Sequence, residues 1–115
     1  MVRKIIFFEN HFIEFYQKQN NKVKGKIQYI FELIKQVERI PEKFFKHLTG
    51  TDGLYEIRIE YQSNIYRVFC CFDKGNLVVL FNGFQQKTQK TPKKEIEKAI
   101  KLMKLYFEQK NKING

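Results

Sequence analysis

The chain has 115 residues, 43% of them hydrophobic and 30% charged, which is enough for one compact domain over residues 1–115. Its 22 basic and 12 acidic residues give a net charge of +10, which favours polyanionic partners such as nucleic acid or an acidic protein. The two cysteines, Cys70 and Cys71, are adjacent, and no apolar run is long enough to span a bilayer. These features argue against a disulfide scaffold and a membrane protein, and we expect a cytoplasmic protein.

The first half of the chain predicts one strand and two helices. Residues 2–8 are rich in β-branched and aromatic side chains, which favours a strand, and Asn10 then offers an N-cap for a short helix. Apolar residues recur every three or four positions over residues 22–39 and indicate one amphipathic helix that ends before Pro41. Residues 43–53 show no clear periodicity and are predicted to be a loop.

Residues 54–84 predict three strands of an antiparallel meander. In the first two strands apolar and polar residues alternate, so each strand has one apolar and one charged face. Superposing the apolar faces pairs Tyr61 with Tyr66 across a loop at Ser63 and Asn64. A turn that pairs Phe72 with Leu77 would then put the following third-strand residues on the same apolar face: Leu77, Val79, Phe81 and Gly83.

The opposite face of this predicted sheet carries the candidate site. The register makes Arg58 and Arg67 diagonal neighbours, roughly 7–8 Å apart at the backbone, so their guanidinium groups can converge. Glu56 and Glu60 share that face. In a purely structural interpretation, Glu60 pairs with Arg67 and Glu56 with Arg58 on a solvated surface, each pair contributing about 0–1 kcal/mol.

A polar, cationic connection over residues 85–92 leads to the last helix. Thr91 and Pro92 predict its start, with Thr as the N-cap and Pro at the first helical position. The element order is then β-α-α-β-β-β-α. We expect an α+β fold with a mostly antiparallel sheet of three or four strands and helices packed on it.

Four segments of the chain, taken together, have the spacing of a known family. They are Gly53–Arg58 (GLYEIR), Ile65–Phe69 (IYRVF), Phe84–Pro92 (FQQKTQKTP) and Glu95–Ala99 (EIEKA). Each is common alone, but jointly, and with the order of elements over nearly the whole chain, they resemble the RelE/ParE superfamily of type II toxins. The resemblance is to the phage-derived Gp49-like, HigB-type branch, and it implies a RelE-like fold.

The resemblance implies a toxin that cleaves messenger RNA in the ribosomal decoding site. It further implies that no metal or other cofactor is needed and that a cognate antitoxin, a helix-turn-helix protein, silences the toxin. The toxin alone would be a monomer, and with its antitoxin a hetero-oligomer. RNA supplies its own nucleophile, the 2′-hydroxyl, so the protein need only orient it, remove its proton and stabilise the charge on phosphorus.

Residue roles follow from the matched motifs. Arg67 and then Arg58 are the first candidates for stabilising the phosphate, because a guanidinium fork matches phosphate oxygens, and Lys87 would bind phosphate or assist proton transfer. The predicted RNA contacts are Lys90, Phe84, Asn82, Thr88 and Lys94. The candidates for acid–base chemistry are Glu56, Glu60 and His47. Two alternatives stay open: a non-catalytic toxin that poisons DNA gyrase, as on the ParE side of the superfamily, and an inactive RNA-binding member.

Overall fold

The computed structural model describes residues 1–114, with three helices and five strands in that part of the chain. In chain order they are β1 (Lys4–Phe7), α1 (His11–Gln17), α2 (Asn21–Gln36), β2 (Phe45–His47), β3 (Tyr55–Tyr61), β4 (Asn64–Asp73), β5 (Leu77–Gln86) and α3 (Lys93–Asn114). The predicted α+β class is confirmed. The predicted domain extends to Gly115, which lies outside the described residues. Within residues 1–114, no helix is long and apolar enough to cross a membrane.

The sheet has five strands rather than the predicted three or four, in the order β1-β5-β4-β3-β2. Only β1 and β5 pair in parallel. The additional strand, β2, lies in the segment predicted as a loop and pairs with β3, Phe45 opposite Ile57. Three residues are too few for an alternating pattern to stand out in the sequence. β2 therefore extends the sheet on the side of the candidate site.

The turn between β3 and β4 is tighter than predicted. Gln62 and Ser63 both have positive φ, 49° and 69°, as in the two-residue turns that match strand twist. Tyr61 therefore pairs with Asn64, and the predicted pairing with Tyr66 is wrong by two residues. Because side chains alternate with a period of two, this shift leaves every side chain of the hairpin on its predicted face.

The pairing of β4 with β5 differs from the prediction by one residue. Leu77 pairs with Asp73, whereas the prediction paired it with Phe72. A one-residue shift exchanges the two faces, so Val79 and Phe81 lie on the side opposite to the predicted one. Both faces of the sheet therefore carry apolar residues.

A β-bulge farther along the same pair of strands restores the predicted faces. After the irregularity, Val68 pairs with Gly83 and Arg67 with Phe84, so Phe84 lies on the arginine face as predicted. Gly83 packs so closely on Phe15 that a Cβ there would lie 2.6 Å from the ring. Only glycine fits this position without displacing α1.

Each face of the sheet has its own core. Helices α1 and α2 cover one face with a cluster that includes Phe15, Ile27, Ile30, Ile57 and Val68. Helix α3 covers part of the other face with a cluster that includes Leu54, Phe69, Val79, Phe81 and Ala99. Cys70 lies in the first core and Cys71 in the second. Burial raises the pKa of both thiols, that of Cys71 to about 12, so both stay protonated at neutral pH.

A buried carboxylate clamps α3 to the sheet. Tyr106 Oη donates to Asp73 Oδ2 at 2.6 Å, and Lys110 Nζ donates to Oδ1 at 2.5 Å. Burial alone would raise the pKa of Asp73, but the hydrogen bonds from Lys110 and Tyr106 hold that pKa below its usual value. Burial and the neighbouring carboxylate raise the pKa of Tyr106 to about 12. The clamp fixes α3 over one half of its face and leaves the other half uncovered.

Candidate active site

Two arginines stand directly opposite each other on the uncovered half of the α3 face. Arg58 in β3 pairs with Arg67 in β4. The N–H of Arg58 donates away from β4, to Phe44 O at 2.9 Å, which makes this a pair without mutual backbone hydrogen bonds. In such pairs the Cα atoms are only about 4.5 Å apart. The two side chains share a face, as predicted, and start closer together than the predicted diagonal neighbours.

Each arginine is held by a carboxylate. Arg58 Nη2 donates to Glu60 Oε1 at 2.9 Å, and Arg67 Nη1 lies 3.1 Å from Glu56 Oε1. The partners are exchanged relative to the purely structural interpretation of the sequence, because the hairpin register is shifted by two residues. The Arg58–Glu60 pair is exposed, whereas only 15% of the Arg67 side chain and 5% of the Glu56 side chain are accessible.

The carboxylate of Glu56 is only partly satisfied. Its Oε1 faces Arg67 and lies 4.0 Å from Lys46 Nζ. Its Oε2 is buried and has no hydrogen-bond partner within residues 1–114. Leaving a buried polar atom unpaired costs about 1–3 kcal/mol, so such an atom in a folded protein calls for an explanation.

These side chains form the wall of one groove, of about 230 Å³, between β2 and the β3–β4 hairpin. It is lined by Lys43, Phe45, Lys46, Glu56, Arg58 and Arg67, with Glu42 at the rim. A larger groove of about 500 Å³ lies between residues 50–52 and α3, but apolar side chains supply much of its lining and no cations converge there. The smaller groove is therefore the candidate active site. Within residues 1–114, no group of three His, Cys, Asp or Glu side chains is placed to hold a metal ion.

Gln86, at the end of β5, ties Arg67 to the loop that follows. Arg67 Nε donates to Gln86 Oε1, and Gln86 Nε2 donates to the carbonyl oxygens of Thr88 at 2.8 Å and Gln89 at 3.1 Å. The side-chain amide of Gln86 thus links the two, because its oxygen accepts from the guanidinium and its nitrogen donates to the loop. We did not single out Gln86 from the sequence, although it lies within the matched segment.

The predicted contacts in the loop and at the start of α3 do not line the groove. Lys87, Thr88, Lys90 and Lys94 are all exposed. Thr88 Oγ1 donates to Lys90 O at 3.0 Å, which closes the loop on itself. Lys94 lies in the first turn of α3. Lys94 instead lines a separate groove together with His11 and Lys98.

Phe84 and Asn82 occupy different environments. Phe84 is half-buried beside Arg67 and packs on Phe69, with ring centroids 5.6 Å apart. Asn82 is 2% exposed, and its Nδ2 donates to Glu95 O at 3.1 Å and to Glu95 Oε1 at 3.0 Å. Asn82 therefore anchors the start of α3, and this position gives it almost no surface for RNA to contact.

His47 points away from the groove. It pairs with Tyr55, packs on that ring edge-to-face at 5.3 Å, and has its Nε2 3.1 Å from Thr51 O, all on the α1–α2 side of the sheet. Its neighbour Lys46 projects into the groove instead, opposite Glu56. Lys46 went unnoticed in the sequence because its segment was predicted to be a loop.

The model of the family described as "Phage derived protein Gp49-like (DUF891)" matches residues 14–104, which is most of the chain. The chain belongs to the Gp49-like family. The predicted resemblance to this RelE/HigB-type toxin family is confirmed. Among curated proteins there is no match to the Gp49-like chain.

Two solved structures show the same architecture. The Gp49-like chain is similar to the archaeal RelE–RelB complex from Pyrococcus horikoshii OT3, with a TM-score of 0.54 and 16% identity over 72% of this chain and 93% of that chain. It is equally similar to the RelB–RelE antitoxin–toxin complex from Methanococcus jannaschii, with a TM-score of 0.54 and 17% identity over 71% of this chain and 91% of that chain. The Gp49-like chain thus shares the fold of these proteins.

Proposed function

We propose that this Gp49-like protein is the toxin of a toxin–antitoxin system and cleaves messenger RNA on the ribosome without a metal or cofactor. One observation carries the proposal: two directly opposed arginines and a buried carboxylate with an unpaired oxygen share one open groove. Ion pairs that only stabilise a fold need neither two arginines directly opposite each other nor a carboxylate oxygen without a hydrogen-bond partner. A ribose phosphate would use both, because its phosphate oxygens accept from the arginines and its 2′-hydroxyl donates to the carboxylate.

The proposed reaction needs only the side chains of the groove and the RNA. The ribose 2′-oxygen attacks the adjacent phosphorus, and the bond from phosphorus to the 5′-oxygen breaks. The Glu56 carboxylate accepts the 2′-proton, and Lys46, 4.0 Å from Glu56 Oε1, supplies a proton to the departing 5′-oxygen. The products are a 2′,3′-cyclic phosphate and a 5′-hydroxyl.

The opposed arginines favour the transition state over the bound substrate. Like charges directly opposite each other in a sheet repel, and in the empty groove Glu60 and Glu56 offset part of the repulsion between Arg58 and Arg67. The extra negative charge that develops on phosphorus relieves this repulsion, and relieves it most when the charge is greatest. Removing one preorganised donor at such a site typically costs about 2.7–4 kcal/mol of transition-state stabilisation.

The remaining predicted residues would bind the message on either side of the reacting phosphate. Lys87, Lys90 and Lys94, with the Thr88 hydroxyl, are exposed and suited to flanking phosphates. Half-buried Phe84 offers part of its ring for stacking on a base. Gln86 acts through Arg67 and the loop, and we assign it a positioning role.

We also propose an acidic antitoxin, of the helix-turn-helix class, that covers the groove. The net charge of +10 gives this chain a surface complementary to such a protein. The structural neighbours from Pyrococcus horikoshii and Methanococcus jannaschii are described as complexes of RelE with RelB. Without its antitoxin we expect the chain to be a monomer.

Induction of the protein in bacteria tests the proposed function. Translation and messenger integrity should collapse before DNA supercoiling changes, and purified ribosomes with the protein should yield cut messages with 5′-hydroxyl ends. The Arg67→Lys variant is the control for expression. Loss of supercoiling with intact messages would favour gyrase poisoning, and ribosome binding without cleavage would favour the inactive RNA-binding alternative. Either outcome would contradict the proposal.

A further inference from the structure

Helix α2 carries a second basic surface, on the other side of the sheet from the arginines. Its apolar residues Val23, Ile27 and Ile30 are buried against the sheet. Between Glu14 and Glu32 the chain contains four lysines and no acidic residue. The charge of this segment is therefore not balanced locally by carboxylates of its own.

Four residues of α2 form one solvent-facing stripe, which we call the α2 stripe: Lys22, Gly25, Lys26 and Tyr29. Their spacing of three and four residues places them along one side of the helix, over about 10 Å. Tyr29 is 58% exposed, and Lys26 Nζ lies 5.3 Å from the centre of its ring. An exposed aromatic ring between cations is an arrangement that binds bases and phosphates together.

Gly25 is the least expected residue of the α2 stripe. A glycine in the middle of a helix is destabilising relative to alanine. Here an added Cβ would meet nothing within 4 Å, and Gly25 is not among the residues with positive φ. Neither packing nor backbone conformation therefore requires glycine at this position. A ligand backbone that approaches the helix closely would favour glycine, because the missing side chain leaves room for a sugar-phosphate chain between Lys22 and Lys26.

We propose that the α2 stripe is a docking surface for the phosphate backbone of structured RNA, separate from the cleavage groove. The lysines contact phosphates of one strand, Gly25 lets the backbone approach, and Tyr29 packs on a ribose or base. This inference extends the proposed ribosomal function, since it supplies a second contact to RNA on the opposite face. An acidic protein segment would satisfy the lysines, but it offers no base or ribose to the exposed Tyr29 ring.

The test is binding of a fluorescein-labelled 24-nucleotide RNA hairpin with 2′-O-methyl riboses, which cannot be cleaved by 2′-attack. Binding to the full chain is followed by fluorescence anisotropy at several salt concentrations. The variant Lys22→Gln/Lys26→Gln should raise the Kd about 10-fold or more at low salt and lower the salt slope by about 2. The matched control is Lys98→Gln/Lys101→Gln, which removes the same charge from exposed positions of α3 and should change the Kd less than about 2-fold. Equal losses in both variants would overturn the proposal.

The Gly25→Ala variant gives a second, independent test, because it should increase stability and decrease affinity for RNA. The variant should raise the Tm by about 2–6 °C, because alanine is the better helix former, and yet bind the RNA hairpin several-fold more weakly. A stabilised variant with unchanged Kd would overturn the role of Gly25. Poly-L-glutamate serves as the competing ligand: if the α2 stripe variants lose affinity for it but keep affinity for RNA, the partner is an acidic protein and the proposal is wrong.

The proposed function and the proposed role of the α2 stripe can be contradicted independently of each other. If the chain binds the hairpin through α2 but cleaves no message, the nuclease proposal alone is contradicted. If it cleaves messages while the Lys22→Gln/Lys26→Gln variant binds and cleaves normally, the α2 stripe alone is contradicted.

Discussion

The two halves of the α3 face of the sheet have opposite characters. Over β4 and β5, α3 covers an apolar layer in which Phe69 and Phe81 are fully buried. Over β2 and β3 no helix of residues 1–114 packs on this face, and the groove there holds opposed arginines and a buried carboxylate with an unpaired oxygen. The covered half stabilises the fold, whereas the uncovered half keeps two like charges opposite each other and one carboxylate oxygen unpaired. This division is typical of a binding or catalytic site.

The largest expected difference between the halves is in stability. Phe81→Ala leaves a cavity under α3 and should lower the free energy of unfolding by about 3–5 kcal/mol. Arg58→Ala on the uncovered half removes an exposed ion pair and one member of a repulsive pair, so we expect a change within about 1 kcal/mol. Urea unfolding of both variants measures the contrast. Similar losses in the two variants would mean that the halves do not differ in this way.

Glu56→Gln should abolish most of the activity. The amide keeps the shape of the side chain but cannot accept the 2′-proton, so we expect cleavage to fall about 10²–10⁴-fold. The measurement is single-turnover cleavage of a message on purified ribosomes. Glu60→Gln is the matched control, because that carboxylate is exposed and holds only Arg58, and should lose much less. Comparable losses at both positions would argue against Glu56 as the base.

The clamp that fixes α3 predicts a pH dependence of stability. The native pKa of Asp73 lies below its usual value of 3.8, so its stabilisation is present above about pH 4 and is lost as the pH falls through the native pKa. The native pKa of Tyr106, about 12, lies above its usual 10, so its stabilisation is present below pH 10 and lost on the approach to pH 12.

Tyr106→Phe should therefore lower the free energy of unfolding by about 1–3 kcal/mol across the plateau between these limits. Urea titrations at pH 3, 7 and 9 measure the effect. Lys104→Met, an exposed position on the same helix, is the control and should change little. A Tyr106→Phe variant as stable as the unmodified chain at pH 7 would show that the clamp does not hold α3.

Gln86→Met should have the smallest effect on activity. The substitution keeps the volume but removes the link between Arg67 and the loop, so we expect a loss of about 10-fold in cleavage, in line with a misplaced but intact catalytic group. The NMR signal of Arg67 Nε–H should shift in this variant. The control is Gln85→Met, the adjacent exposed residue on the other face. If the Arg67 Nε–H signal does not shift, Gln86 does not position Arg67.

The arginine pair illustrates what the sequence could and could not predict. The predicted hairpin register was wrong by two residues, yet Arg58 and Arg67 stayed on one face because side chains alternate with a period of two. The error concealed that they are directly opposite, which depends on positive φ at Gln62 and Ser63. Neither residue is a glycine or asparagine, so the sequence carries only a weak signal for this turn.

The parts that the sequence missed depend on long-range packing. The bulge that returns Phe84 to the arginine face depends on the contact of Gly83 with Phe15, which is far away in sequence. The sequence signal for this bulge was Gly83 itself, because a glycine inside a strand often marks a bulge. Lys46 enters the groove only because a three-residue strand pairs with β3, and no local pattern predicts so short a strand.

The proposed reaction requires the fork of Arg67, and not merely its charge, to stabilise the reacting phosphate. Arg67→Lys keeps a cation beside Glu56, so the fold and the Tm should be maintained, while single-turnover cleavage on ribosomes should fall about 100–1000-fold. Arg39→Lys, an exposed arginine outside the groove, is the control. A folded Arg67→Lys variant that cleaves as fast as the unmodified chain would contradict the account.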